Sequence, residues 1–114
     1  MQVKIDTREK FHAITILESN LAANMTEELG QCLLPFLQKE VKNVVLILKD
    51  IRKVDDAAAE VLVRIQQSFY DNSASFVICE LTPEVEKSLE DILANQSKEV
   101  STKQSGLLNK KKSW

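Results

Sequence analysis

The order of apolar patterns along the chain predicts an α/β layer fold built on a parallel pair of central strands. Two runs of consecutive apolar residues, VVLIL at residues 44–48 and FVIC at residues 76–79, are typical of strands that are buried on both faces of a parallel sheet. Apolar residues recur at helical spacing between these runs and again after the second. Strands that alternate with helices predict a layered α/β architecture with right-handed crossovers.

Two strands and a helix are predicted before the first apolar run. Residues 2–6 alternate between apolar and polar side chains, residues 11–17 are rich in β-branched and apolar side chains, and the polar turn between them favours a hairpin. The next helix is expected to have Asn24 as its N-cap, with Glu27 three residues later. Pro35 lies inside its apolar pattern and predicts a kink near residues 31–34 or an early end.

Two further helices and a short strand are predicted in the second half. A helix over residues 57–70 carries one apolar stripe, and another begins at Pro83, with Thr82 as its N-cap. Residues 100–102 predict a short last strand. The apolar stripes are Ala58, Val61, Leu62, Ile65 and Phe69 in the first of these helices, and Val85, Leu89, Ile92 and Leu93 in the second.

Composition narrows the class of protein. A chain of 114 residues with a formal charge of -2 is one domain with no electrostatic reason to bind nucleic acid. No apolar run approaches the roughly 20 residues of a membrane span, and the first residues are too polar for a signal peptide. Cys32 and Cys79 lie among apolar residues, which indicates reduced thiols in a cytoplasmic protein without a disulfide framework or a cysteine zinc site.

Few residues point to catalysis or to a cofactor. The single histidine, His12, lies within a predicted strand and is expected to be a structural residue. Two isolated glycines, Gly30 and Gly106, cannot form a loop that cradles phosphate. We therefore expect a protein that is not an enzyme and has no cofactor.

One acidic cluster, made of Asp50, Asp55 and Asp56, follows a predicted central strand and leads into a helix. Ligand sites in open α/β sheets lie at the carboxyl ends of the strands, so three interpretations stay open. Asp55 caps the helix and Asp56 complements its dipole; or the three carboxylates bind magnesium, as in a phosphate receiver or an enzyme; or the end of the helix docks a partner.

Three stretches of the sequence together resemble a STAS domain, the fold of bacterial anti-sigma factor antagonists. They are FHAITILESNLAANMTEEL, NVVLILKDIRKVDDAAAEVLV and SASFVICELTPEVEKSL. The resemblance implies a STAS-like α/β layer fold, in which a mixed β-sheet has helices packed mainly on one face. It covers residues 1–102, and residues 103–114, with Gly106 and three consecutive lysines, are expected to form a mobile basic tail.

The resemblance also points to a modified phosphorylation motif. Antagonists of this family carry Asp-Ser-Ser-Gly-Leu after the central strand, and a partner anti-sigma factor kinase phosphorylates the first serine to break binding. Residues 55–59 here read DDAAA, so Asp56 occupies the phosphoacceptor position and the phosphorylation switch is expected to be absent. A permanent carboxylate either weakens a partner that evolved around serine or pairs with a cation of that partner, and the sequence leaves both open.

These observations predict a non-catalytic regulator that binds an anti-sigma factor or a serine-kinase-like protein, with magnesium-dependent chemistry or a structural role in a sensing complex as alternatives. The more ordinary role of Asn20 is to cap or close its turn, Leu21 is more often a core residue than a contact, and Glu60 with Arg64 makes either a solvated pair or a rim contact. The candidate partner-binding residues are Asn20, Leu21, Asp55, Asp56, Ala57, Ala58 and Glu60.

Overall fold

A computed structural model describes the backbone of residues 1–97 and the side chains of residues 1–94. The predicted strand at residues 100–102 and the predicted tail at residues 103–114 lie outside the described residues.

A four-stranded mixed sheet forms the centre of the fold, with strand order β1-β2-β4-β6. The predicted hairpin is confirmed, because β1 (Val3–Thr7) pairs with β2 (His12–Ile16) in antiparallel register. The two apolar runs form β4 (Val44–Ile47) and β6 (Phe76–Cys79), which pair in parallel. The parallel pairing of β2 with β4 joins the hairpin to this pair.

A second, two-stranded sheet was not predicted. Its strands β3 (Asn20–Leu21) and β5 (Lys53–Val54) follow β2 and β4 in the chain and pair in parallel. Each contains two residues, so no period-2 pattern marks them in the sequence. Their pairing brings together the segments that lead into the first and second helices.

The first helix begins later than predicted and ends as predicted. A 3₁₀ turn (Ala23–Met25) precedes α1 (Thr26–Leu33), whose N-cap position is occupied by Met25 without a side-chain hydrogen bond. The prediction of Asn24 as the N-cap is therefore wrong, because this turn moves the start of the helix past it. The early end at Pro35 is confirmed, since the chain continues as a 3₁₀ helix (Leu34–Gln38).

The other two helices, α2 (Asp56–Asp71) and α3 (Pro83–Ser97), follow the predicted pattern closely. The hydroxyl of Thr82 accepts a hydrogen bond of 3.3 Å from the amide of Val85, which confirms it as a cap of α3. All four apolar residues of the predicted α3 stripe are buried. In α2 the stripe is wider than predicted, because Ala59, Val63 and Gln66 are also buried, while Val61 is only half-buried.

Helices cover one face of the four-stranded sheet, as the resemblance implied. The burial pattern of β4 alternates between buried and half-buried residues, and that of β6 alternates between buried residues and the exposed or half-buried Val77 and Cys79. The prediction that both strands are buried on two faces is therefore wrong, since in the described residues the core lies on the helix side alone. None of the helices in residues 1–97 is long and apolar enough to cross a membrane.

Candidate partner-binding surface

The beginning of α2 is held in place by the loop that follows β4. Ile51 is fully buried and anchors this loop in the core, and its amide donates to the carbonyl of Leu48 over 3.1 Å. The amide of Arg52 donates to the carbonyl of Ser19 over 2.7 Å, just before β5 pairs with β3. The start of α2 is thus attached by backbone hydrogen bonds to the segment that follows β2.

Asp55 occupies the N-cap position of α2 but does not cap its own helix with its side chain. Its carboxylate Oδ2 instead accepts a hydrogen bond of 3.0 Å from the amide of Ala23, which lies 32 residues earlier in the chain. The prediction of Asp55 as an ordinary N-cap is therefore correct in position and wrong in its side-chain contact. The β3–β5 pairing causes this difference because it places another amide within reach of the carboxylate.

Asp56 is the first residue of α2, and its side chain is exposed. Its carboxylate makes no hydrogen bond or ion pair with any other described residue. An anion at this position is favoured by the helix dipole by about 0.3–1 kcal/mol. The dipole explains why the carboxylate is tolerated, and it leaves the carboxylate oxygens available to another molecule.

Residues 55–58 form what we call the α2 tip, in which only some side chains reach the surface. Ala57 is exposed, whereas Ala58 is completely buried beneath it. On the neighbouring strand β3, Asn20 is exposed and Leu21 is completely buried. Leu21 and Ala58 therefore support the surface from below, and Asn20, Asp56 and Ala57 present side chains to solvent.

Glu60 lies one turn further along α2 and is partly committed to another contact. Its carboxylate accepts a hydrogen bond of 3.1 Å from the guanidinium of Arg64, whose side chain is exposed, while that of Glu60 is half-exposed. Such exposed pairs contribute about 0.3–0.5 kcal/mol on a helix surface. The pair is weak enough for either partner to reorient towards another protein.

The geometry does not support a magnesium site made of Asp50, Asp55 and Asp56. Within the part of the chain that the structure describes, no three acidic, cysteine or histidine side chains form a group able to hold a metal ion. The carboxylate of Asp55 is already engaged by Ala23, and Asp50 lies exposed in the loop after β4.

His12 is a buried structural residue, as predicted. Its Nε2 lies 2.9 Å from the carbonyl oxygen of Val41, and its Nδ1 lies 3.1 Å from the hydroxyl of Thr7. The ring also packs against Phe36, with 4.6 Å between the ring centroids. Nε2 thus connects the hairpin to the segment before β4, and Nδ1 connects the two strands of the hairpin.

The two thiols are both free and only half-buried. Burial raises the pKa of Cys32. Burial also raises the pKa of Cys79, and the negative charge of Glu80 raises it further. Both thiols are therefore poorer nucleophiles at neutral pH than an exposed cysteine.

Sequence reasoning missed the backbone groups that connect the two halves of this surface. These groups are the carbonyl of Ser19, the amide of Ala23 and the amide of Arg52. Every residue except proline carries the same amide and carbonyl, so their role leaves no signal in residue types. The carboxylates of Asp55 and Asp56 had a visible signal, their place at a predicted helix start.

Comparison with known proteins identifies the fold. The family model of the STAS domain matches residues 3–103. The chain is similar to the crystal structure of a candidate anti-sigma factor antagonist from Thermotoga maritima, with a TM-score of 0.67 and 16% identity over 83% of this chain and 81% of that chain. No curated protein matches the sequence significantly.

A second similar structure is that of the murine anion transporter Solute Carrier 26 family member A9 in its inward-facing state. The TM-score is 0.62, with 10% identity over 72% of this chain and only 14% of that chain. The chain thus spans a small part of the transporter. At these identities the two structural likenesses establish the fold, and they leave the activity to be argued from the residues of this chain.

Proposed function

The chain belongs to the STAS domain family, and from that premise we propose that it is a regulator that acts by binding another protein, in the manner of an anti-sigma factor antagonist, without catalysing a reaction. Its partner in this proposal is an anti-sigma factor or a related serine-kinase-like protein, which would place the chain in the bacterial cytoplasm. The observation that carries the proposal is the carboxylate of Asp56 at the α2 tip, which is exposed and pairs with no other described residue, while the neighbouring strand β3 presents the exposed Asn20.

Asp56 has the right chemistry for a constant contact rather than a phosphorylation switch. In the resemblance to the family it occupies the position of the phosphorylated serine, and a carboxylate cannot form the ester that a kinase makes with serine. A phosphoserine carries about -1.5 to -2 charges, whereas aspartate carries one. The proposal is that binding of this chain does not depend on phosphorylation at the tip.

The partner surface is expected to present a lysine or arginine to Asp56. A carboxylate that becomes desolvated in an interface without a counter-charge costs affinity, whereas a close pair of opposite charges contributes to it. The next residue of the helix, Ala57, is exposed and has a small uncharged side chain, so it allows a partner to approach the carboxylate closely. Glu60 lies at the rim, where its pair with Arg64 can rearrange.

The experiment is a binding measurement between the purified chain and purified anti-sigma-factor-type kinases of the source organism. We expect Asp56→Ser to weaken binding by about fivefold to tenfold, equivalent to about 1–1.4 kcal/mol, because it removes the charge that the partner neutralises. Asp71→Asn is the matched control, since it removes a carboxylate charge at the opposite, exposed end of α2. It should leave the Kd unchanged.

Incubation of the same proteins with ATP supplies a second outcome. The wild-type chain should remain unlabelled, because the residue at the phosphoacceptor position is Asp56. Phosphorylation at another residue, such as Ser19, would contradict the absence of a switch. A Kd that Asp56→Ser leaves unchanged would show that the α2 tip is not at the interface, and tighter binding would show that Asp56 opposes docking.

A further inference from the structure

The adjacent carboxylates of Asp55 and Asp56 have different surroundings. Asp55 is half-buried and its Oδ2 accepts the amide hydrogen of Ala23 at 3.0 Å, whereas the Asp56 carboxylate contacts no donor among the described residues. Hydrogen bonds to an ionised acceptor are stronger than those between neutral groups. The charge of Asp55 is thus used within the molecule, and the charge of Asp56 is not.

The segment that Asp55 contacts is anchored in the core by Leu21, but it has few hydrogen bonds to the start of α2. Residues 19–23 connect to the start of α2 through a ladder of two residues per strand, and such short pairings are marginal by themselves. Two backbone hydrogen bonds support the ladder, from Arg52 to Ser19 over 2.7 Å and from Asp55 to Leu21 over 2.8 Å. The Asp55 side chain adds a hydrogen bond with the amide of Ala23, at the end of the segment where the 3₁₀ turn begins.

We propose that Asp55 is a positioning residue of the partner-binding surface, which fixes residues 20–23 against the α2 tip so that Asn20 and Asp56 meet a partner as one rigid surface. This inference rests on the proposed function, because it assigns a role within the same surface. It also makes Asp56 the specificity-determining residue, since it carries the carboxylate that remains unpaired. Asp55 contributes through geometry and Asp56 through charge.

The first test uses the isolated ¹⁵N-labelled chain and needs no partner. Asp55→Ala should speed hydrogen exchange of the Ala23 amide by about tenfold or more, because the amide loses a charge-assisted hydrogen bond. Asp55→Asn should restore most of the protection, since the side-chain oxygen of asparagine can accept the same bond. Asp56→Asn is the matched control and should leave the Ala23 signal unchanged. An unchanged Ala23 exchange rate in Asp55→Ala would overturn the proposal.

A second variant breaks the same bond from the other side. Proline has no amide hydrogen, and Ala22, with φ -100° and ψ 163°, already has the extended conformation that a residue before proline prefers. Ala23→Pro therefore removes the donor while it leaves the carboxylate of Asp55 in place. It keeps the proposal testable if Asp55→Ala lowers the yield of folded protein.

The second test measures partner affinity with the kinase used above. Asp55→Ala and Ala23→Pro should each weaken binding by about threefold to tenfold. Both changes remove the same contact, so the double variant should bind about as well as the single variant with the lower affinity. Asp55→Asn should bind like the wild-type chain. Additive losses would contradict a shared positioning role.

The two tests separate this inference from the proposed function. If the wild-type chain binds no kinase while Ala23 exchange still depends on Asp55, the proposed function fails and Asp55 is a residue of the fold alone. If the wild-type chain binds and Asp56→Ser weakens it, but Asp55→Ala has no effect on affinity, the proposed function stands and the positioning role is wrong.

Discussion

The two faces of the four-stranded sheet differ in burial although the same strands form both. The helix-covered face contains the side chains of Ile14, Leu46 and Phe76, all of which are completely buried. The opposite side, which we call the open face, contains the residues between them, among them Ile47, which is half-buried, and Val77, which is 37% exposed. The other open-face residues of β2, β4 and β6 are Ala13, Thr15, Val45 and Cys79.

This difference shows that apolar residue type does not by itself report burial in this protein. Parallel strands are usually covered on both faces, and the continuous apolar runs of β4 and β6 have the composition of such strands. In the described residues, α1, α2 and α3 pack on one face alone, so half of each run lies outside the core. Strand composition indicates which strands are central, whereas helix packing decides which side chains are buried.

The largest expected effect comes from truncating equivalent side chains on the two faces. Leu46→Ala should lower the free energy of unfolding by about 2–5 kcal/mol, because it leaves a cavity in the core. Ile47→Ala, its neighbour on the open face, should cost less than half as much, since Ile47 is only half-buried. Urea denaturation of both variants measures the difference. Equal losses would mean that the two faces are covered to the same extent.

A smaller effect is expected at the edge of the sheet. The carbonyls of Ser75 and Cys79 accept hydrogen bonds from β4, so the carbonyl of Phe76 points away from that strand. The buried side chain of Gln66 in α2 donates to this carbonyl over 3.0 Å and thereby satisfies an edge group. Gln66→Ala should lower the free energy of unfolding by about 1–3 kcal/mol, because a buried acceptor loses its donor.

Gln31→Ala is the control for the edge variant. Gln31 is exposed in α1, and its side-chain amide donates to the carboxylate of Glu27, one helical turn earlier, over 3.2 Å. Loss of such a surface contact costs about 0.2–0.5 kcal/mol. Thermal or urea unfolding that ranks Gln31→Ala at or above Gln66→Ala would contradict the structural role of the edge contact.

The smallest effect concerns the thiol of Cys79 on the open face. In a Cys32→Ser variant, a thiol reagent should modify Cys79 without unfolding, since the side chain is only half-buried. Burial and the charge of Glu80 raise its pKa, so the rate at neutral pH should be below that of an exposed cysteine and should rise about tenfold per pH unit until the pKa is reached. Modification that requires denaturant would indicate that the open face is covered.

The raised pKa of Cys79 also makes the stability of the fold depend on pH in one direction. Because the pKa of Cys79 is higher in the folded chain than its ordinary value of 9.0, folding favours the protonated thiol. Its contribution to stability is therefore fully present below pH 9.0 and is lost as the pH rises through the raised value. Cys79→Ser should remove this alkaline dependence in a series of unfolding measurements across that range.

Much of the fold could be predicted because it depends on local patterns. The β1–β2 hairpin, the end of α1 near Pro35 and the cap of α3 at Thr82 each follow from residues close together in the chain. The N-cap of α1 could not be predicted, since Asn24 is a good cap by residue type but lies within a 3₁₀ turn. The β3–β5 ladder was missed because two residues per strand are too few for a periodic signal.

The candidate site also has one part that the sequence indicates and another part that only folding creates. Its exposed carboxylate, Asp56, was placed at the start of α2 from the sequence, because helix starts and acidic first turns are local features. The contact between Asp55 and Ala23 joins residues 32 positions apart and uses a backbone amide, so no residue type indicates it. The burial of Ala58 follows from its place in the predicted apolar stripe of α2, and Leu21 is likewise a core residue.

The amino-acid sequence alone determined the order along the chain of the α-helices and of the strands in the four-stranded sheet, together with the anionic character of the α2 tip, since these depend on spacing, turn residues and charge within short stretches. Tertiary structure alone decided which face of the sheet the helices cover and which of two adjacent aspartates bonds to another segment among the described residues. The physical reason is that burial and hydrogen bonding depend on neighbours brought together by folding, and such neighbours lie far apart in the chain.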